Sequence, residues 1–187
     1  AETTFTMPEA TVVIHANYLP GTAPTDDVSV ARRWNEVLLQ AIRNDFARPT
    51  VHARNLFHSS AAMYDAWATY DAVASPYLLG QTVAEVSCPR SSFDLPEDVE
   101  GAREQAVSHA MYRIIRHRFA DSPGTSVISR DAKALMSYLD HNINDVSVDY
   151  SGGSAAALGN YLAQCYIDLG LADGPLHRME LPVAIGD

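Results

Sequence analysis

The sequence predicts an all-α protein, built as a bundle of about five helices. Apolar residues recur every three or four positions in five separate segments, which is the spacing of one helix face. Breaks rich in proline, glycine, asparagine or aspartate separate these segments. The 187 residues are 47% hydrophobic and 19% charged, which is ordinary globular usage and suits one domain with a hydrophobic core.

The chain is expected to begin with an arm and a first helix. Residues 1–25 are rich in Thr, Pro and Gly, and only Thr11–Ile14 suggests a short extended piece. Asp26 or Asp27 is a suitable N-cap, because an acidic side chain accepts from the N–H groups of the first turn. The helix ends by Pro49, since the residue before a proline is displaced from the α region. Its apolar face comprises Trp34, Val37, Leu38, Ala41 and Ile42.

The second helix, at about Thr50–Tyr70, is predicted to be the central helix of the domain, with Thr50 as its N-cap. A helix that is apolar nearly all round is typically buried. One face of this helix carries Ala53, Leu56, Phe57, Ser60, Tyr64 and Trp67, and its remaining surface is poor in charge, with Ala61, Ala62, Met63 and Ala66.

Three more helices are predicted after a long loop at 74–96. The third opens at Pro96-Glu97-Asp98, with proline at or just before the first turn. The fourth follows the break at 121–124. The fifth starts near Ser151–Ser154 and ends at Gly170, a favourable C-cap residue.

Small residues form a flat stripe on the fifth helix, where Ala155, Gly159 and Ala163 lie four apart. Such a stripe lets another backbone come close. The chain is therefore divided into an arm at 1–25, a helical domain at 26–173 and an extended tail at 174–187.

Charge and cysteine content limit the partners and the compartment. The net charge of −10 argues against nucleic acid and against an anionic membrane surface, because both require a cationic footprint. No stretch reaches the ~20 apolar residues of a membrane span. The start at Ala1 suits a terminus left by signal cleavage, so we expect an exported protein, periplasmic or secreted. Cys88 falls in a loop and Cys165 in a helix, and the sequence leaves open whether they pair.

Three candidate sites have simpler interpretations. Asp140, Asn142 and Asn144 occupy the first ligand positions of a calcium loop, but the required glycine and capping glutamate are missing, so an Asn/Asp-rich turn is preferred. Ser154 falls one residue short of a Gly-x-Ser-x-Gly elbow and is interpreted as a helix N-terminus. His109, Arg113 and His117 share a helix face that we interpret as a partly exposed basic stripe.

A polar line on the second helix is the remaining candidate. Arg54, His58 and Asp65 lie at offsets of four and seven on an otherwise apolar helix. Buried charge is costly unless it is paired. The line therefore forms either a structural hydrogen-bond network or a wall of an active-site cavity.

The segments Trp34–Arg43, Arg48–His58 and Ala61–Trp67 together resemble the N-terminal helical half of bacterial vanadium-dependent haloperoxidases. These enzymes are relatives of the type 2 phosphatidic acid phosphatases. The later segment from Gly159 to Gly174 is similar to the same family's helix before its central connection.

The resemblance implies that the chemistry lies outside this chain. The family binds vanadate or phosphate through a lysine, arginines, a Ser-Gly-His segment and a further histidine, all in its C-terminal half. This sequence lacks the set, so no catalytic, cofactor-binding or metal-binding residue is predicted. The implied partner is a catalytic half or a companion subunit, and a homodimer is also possible.

Three functions stay open at this point: the non-catalytic portion of a haloperoxidase-like enzyme, part of an acid phosphatase of the same superfamily, and a stand-alone helical interaction module. An exposed apolar surface beside the second helix or along the small-residue stripe would favour a missing half.

Overall fold

The computed structural model describes residues 28–172, which form five helices and one short hairpin. This all-α architecture confirms the predicted fold class. The predicted arm at 1–25, the caps Asp26 and Asp27, and the tail at 174–187 lie outside the described residues. The elements are α1 (Val30–Arg43), α2 (Pro49–Ala68), β1 (Thr82–Val83), β2 (Val86–Ser87), α3 (Val99–Arg118), α4 (Thr125–Tyr138) and α5 (Ala155–Ala172).

The centre of the bundle is α3, and the prediction that the second helix is central is wrong. All four other helices pack on α3, and its most extensive contact is with α5. By contrast, α2 buries one face and leaves aromatic side chains of the other face exposed. Composition alone misled the prediction, because alanines and aromatic residues on all sides of a helix do not show which side has neighbours.

The helix ends differ modestly from the prediction, and each difference has a local cause. The hydroxyl of Ser29 caps α1 by accepting from the Arg32 N–H. Pro49, and not Thr50, begins α2, as expected for a residue that lacks an N–H and fits the first turn. Asp98 caps α3 by accepting from the Gly101 N–H.

The small-residue stripe of α5 packs directly on α3, which confirms the predicted close approach of a second backbone. A Cβ on Gly159 would overlap the carbonyl oxygen of Ala106 and lie 2.7 Å from the Cβ of His109. Ala155, Leu158 and Leu162 are buried beside it. Only a residue without a side chain permits this helix spacing.

The predicted loop at 74–96 contains the antiparallel hairpin of β1 and β2, in which Thr82 faces Ser87 and Val83 faces Val86. Immediately after β2, Cys88 forms a disulfide with Cys165 of α5, with a Cα–Cα distance of 5.7 Å. Both cysteines are buried. The disulfide ties the loop to α5, a pairing that the sequence left open.

No helix within residues 28–172 combines the length and the hydrophobicity that crossing a membrane requires.

Candidate functional site

Asp65 forms the best-defined part of the polar line on α2. Its carboxylate is fully buried and accepts three backbone hydrogen bonds, from Tyr77 at 2.5 Å, Leu78 at 2.9 Å and Leu79 at 3.1 Å. The Tyr166 hydroxyl of α5 donates a fourth at 3.0 Å. Asp65 therefore joins α2, the loop and α5 at one point.

The surroundings of the Asp65 carboxylate are those of a residue that anchors the loop to α2. The donors that contact it are neutral, and three aligned N–H groups stabilise a carboxylate in place of water. Burial, and then the carboxylate charge, raises the pKa of Tyr166, so its hydroxyl stays protonated and keeps donating. The anchored loop places Leu78 and Leu79 in the core.

Arg54 and His58 point toward the C-terminal part of α5. Arg54 donates to the Gly170 carbonyl at 2.5 Å. The His58 ring nitrogen Nδ1 lies 3.1 Å from a guanidinium nitrogen of Arg118, which also donates to the Tyr166 carbonyl at 3.0 Å. Helix C-termini attract positive charge, which accounts for two arginines at this end of α5.

Arg118 is a residue of this cluster that the sequence analysis missed. It lies at the end of α3, 60 positions from its contact His58 in sequence, so no local pattern connects the two. Burial, followed by the charge of Arg54, lowers the pKa of Arg118 to about 10. Gly170 provides the space, since a Cβ there would overlap the guanidinium. The glycine predicted as a C-cap lies inside α5, which continues to Ala172.

The three residues of the polar line are therefore placed in two groups, with Asp65 at the loop and Arg54 and His58 at the end of α5. Their described contacts are internal to the domain. The described residues also do not fit a vanadate or phosphate site. The hydrogen bonds from Arg54 and Arg118 to α5 go to backbone carbonyls, and Lys133, the chain's only lysine, is exposed on α4. An oxyanion site needs several convergent donors.

A second buried polar cluster lies between α3 and α5. Asn160 donates to the carbonyls of Asp145 and Ser147, both at 2.9 Å, and its own oxygen accepts from Arg113 at 3.0 Å. Arg113 also donates to the carbonyls of Ile143 and Asp145. These bonds hold the 139–150 segment against the bundle.

His109 belongs to the same cluster and is fully buried. The prediction that it forms part of a partly exposed basic stripe is therefore wrong. Its Nδ1 lies 3.4 Å from the Asn160 oxygen, and its ring centroid is 6.1 Å from that of His141. Burial is the main cause that lowers the pKa of His109, and the charges of His141 and Arg113 lower it further. The ring is therefore neutral at pH 7.

Two other candidates have the simpler roles that the sequence indicated. The Asn142 side chain accepts from the Asn144 N–H within a turn, and Ser154 accepts from the Ala157 N–H as a helix N-cap. Within residues 28–172, no group of three or more His, Cys, Asp and Glu side chains is arranged to hold a metal ion.

The outer face of α2 carries four large apolar side chains that are partly exposed to solvent. Leu56, Phe57, Tyr64 and Trp67 are between 38% and 51% exposed. Phe57 packs edge-on against Tyr77, whose side chain is also exposed, which extends the patch onto the loop. We call the four α2 residues the α2 outer face. Exposed apolar and aromatic side chains that share one helix face are typical of an interaction surface.

A groove of about 520 Å³ runs beside this face, between α1 and α2, with α3 as its floor. We call it the α1–α2 groove; its lining includes Ala31, Asn35, Met63, Trp67, Glu104 and Val107.

Comparisons of the chain with protein-family models, with curated proteins and with solved structures found no match.

Proposed function

We propose that this chain is the non-catalytic helical portion of a larger enzyme similar to the vanadium-dependent haloperoxidases. In that enzyme the α2 outer face packs on the catalytic half and helps to shape its cavity. The observation that carries the proposal is the exposure of Leu56, Phe57, Tyr64 and Trp67 on a helix whose opposite face is fixed by Asp65. Covering large apolar side chains removes their surface from water, which favours association.

The internal contacts of the polar line support a scaffold role over a catalytic role. Arg54 and Asp65 hold α5 and the loop in place, which fixes the direction in which α2 presents its aromatic residues. In the proposed enzyme, vanadate bound by the other half supplies the peroxide-dependent oxidation of halide. The buried Cys88–Cys165 disulfide supports export, because disulfides persist in oxidising compartments.

The coding sequence downstream of residue 187 gives the first test. We expect it, or a companion gene, to encode a Lys-x6-Arg-Pro segment and a Ser-Gly-His segment. If neither exists, the proposal fails and the stand-alone interaction module replaces it. Assays of the assembled protein for bromide oxidation and for phosphomonoester hydrolysis then separate the haloperoxidase from the acid phosphatase.

Association of separately produced halves gives the second test. We expect the 187-residue chain to be inactive with vanadate and peroxide, and to restore activity when mixed with the catalytic half. The double variant Leu56→Ser/Phe57→Ser should weaken association by at least about tenfold, because truncating central apolar contacts removes most interface energy. Val146→Ser, an exposed apolar residue of the 139–150 segment, is the matched control. Equal association of both variants would refute a role for the α2 outer face.

A further inference from the structure

We propose that the α1–α2 groove binds one amphipathic helix with a basic edge. The inference rests on the proposed function only for the source of that helix, which is the other half of the enzyme. It adds the location, shape and charge of one contact.

The packing of α1, α2 and α3 leaves space for one more helix in the α1–α2 groove. α1 and α2 each contact α3 more than they contact one another. The resulting groove has Val107 as floor, Ala31 on one wall and Met63 on the other. Packed helices lie 8–10 Å apart, so a helix seated there would complete a four-helix arrangement. Insertion of an amphipathic helix into such a groove is a common mode of recognition.

The side chains at the groove edge determine the charge of the occupant. Arg103 lies with its guanidinium carbon 4.5 Å from the Trp67 ring centroid, contacts Asp71 at 3.4 Å and pairs with Glu100. Its charge is therefore already compensated. Glu104, one turn after Glu100 on α3, is exposed, and its charge acts on His141, whose pKa is lowered by burial and whose ring is therefore neutral at pH 7. The edge is thus acidic, which favours lysine or arginine on the incoming helix.

The same charges disfavour a second copy of this chain in the groove. A two-fold contact places each surface patch against itself. It would bring Glu100 and Glu104 of one copy near the same residues of the other, and like charges across an interface oppose association.

Two 18-residue peptides probe the groove in the intact chain. Both carry leucine at helical spacing, and they differ only in lysine or glutamate along the polar edge. Trp67 reports binding, because it lies in the groove and is 40% exposed, whereas Trp34 is fully buried with its indole N–H bonded to Ser108. We expect the lysine peptide to shift Trp67 emission to the blue and the glutamate peptide to leave it unchanged.

Matched variants localise the contact. Ala31→Phe fills the groove and should weaken binding of the lysine peptide about tenfold or more. The control is Ala53→Phe, at an exposed position of α2 two turns before Ser60, which should leave binding unchanged. Glu104→Gln should weaken it about threefold, and Glu85→Gln in the hairpin should not. Urea unfolding of each variant establishes that it is folded.

Three results would overturn the inference: equal binding by Ala31→Phe and the parent chain, equal binding of the two peptides, or a dimer in sedimentation that Ala31→Phe dissociates. None of them depends on Leu56 or Phe57. If the two halves associate through the α2 outer face but the lysine peptide does not bind, the proposed function is retained and the role of the groove is refuted. If the lysine peptide binds but no catalytic half is encoded, the groove is retained as a binding site and the proposed function is refuted.

Discussion

The small-residue stripe of α5 and the α2 outer face are both apolar helix surfaces, but one is closed and the other is open. Gly159 lets α5 approach the backbone of α3 until no space remains between them. Phe57 and Trp67 stay half exposed on α2. The small residues are covered completely by another helix of the domain, whereas the large aromatic residues are covered only in part. We therefore propose the open surface, and not the closed one, as the contact with a partner.

The opposite face of α2 explains why the helix does not rotate to bury its aromatic residues. Asp65 is held by three backbone N–H groups and Tyr166, and these directional bonds fix the rotation of the helix about its axis. Rotation would leave the Asp65 carboxylate and its four donors, most of them buried, without partners, at a cost of several kcal/mol.

The largest expected effect tests this polar anchor. Asp65→Ala removes the acceptor of the Tyr77, Leu78 and Leu79 N–H groups and should lower the free energy of unfolding by about 3 kcal/mol. Urea unfolding measures it. Asp168→Ala, at an exposed carboxylate of α5 that accepts from Gln164, is the control and should change little. A loss below about 1 kcal/mol would show that Asp65 does not fix α2.

The second effect tests the closed interface. Gly159→Ala places a methyl group against the Ala106 carbonyl and should cost about 2 kcal/mol, because α5 must move away from α3. Gly152→Ala is the matched control, since a Cβ there has no atom within 4 Å. Thermal unfolding of both variants gives the comparison, and equal stability would mean that the stripe tolerates a wider spacing.

The third effect is a pH dependence at the same interface, where His109 lies under Gly159. Burial lowers the pKa of His109 in the folded protein. Below pH 6.5 the unfolded chain therefore binds more protons at this residue than the folded protein does. Stability from this group is therefore complete above pH 6.5 and lost as the pH falls below it. Between pH 7 and pH 5 the parent should therefore lose more of its free energy of unfolding than His109→Gln loses, as measured by urea unfolding at the two pH values. His141, whose pKa burial also lowers, remains in both proteins, so an identical pH profile would contradict the assignment to His109.

The smallest expected effect on stability is at the open surface. Phe57→Ser should change the free energy of unfolding by no more than about 0.5 kcal/mol, because the side chain is 51% exposed and loses only its ring contacts with His58 and Tyr77. Chemical unfolding of the isolated chain measures this. A loss above about 2 kcal/mol would place Phe57 in the domain core and remove the contrast between the two surfaces.

Much of the fold could be predicted because local patterns specify it. The five amphipathic segments, the stripe with Gly159 and the N-cap role of Ser154 are each encoded within a few residues of sequence. The central position of α3 could not be predicted, since it depends on which apolar faces meet. The contacts of the candidate site with Arg118 and Tyr166 join residues 48 to 101 positions apart, beyond any local signal.

The sequence by itself determined that this chain is helical, where its helices lie to within a few residues, and that Arg54, His58 and Asp65 are polar positions on an apolar helix. Only the tertiary structure decided that Cys88 pairs with Cys165, that Asp65 anchors a loop, and that the α2 outer face remains open. Helix periodicity is a property of neighbouring residues, whereas burial and pairing depend on how distant segments share one core.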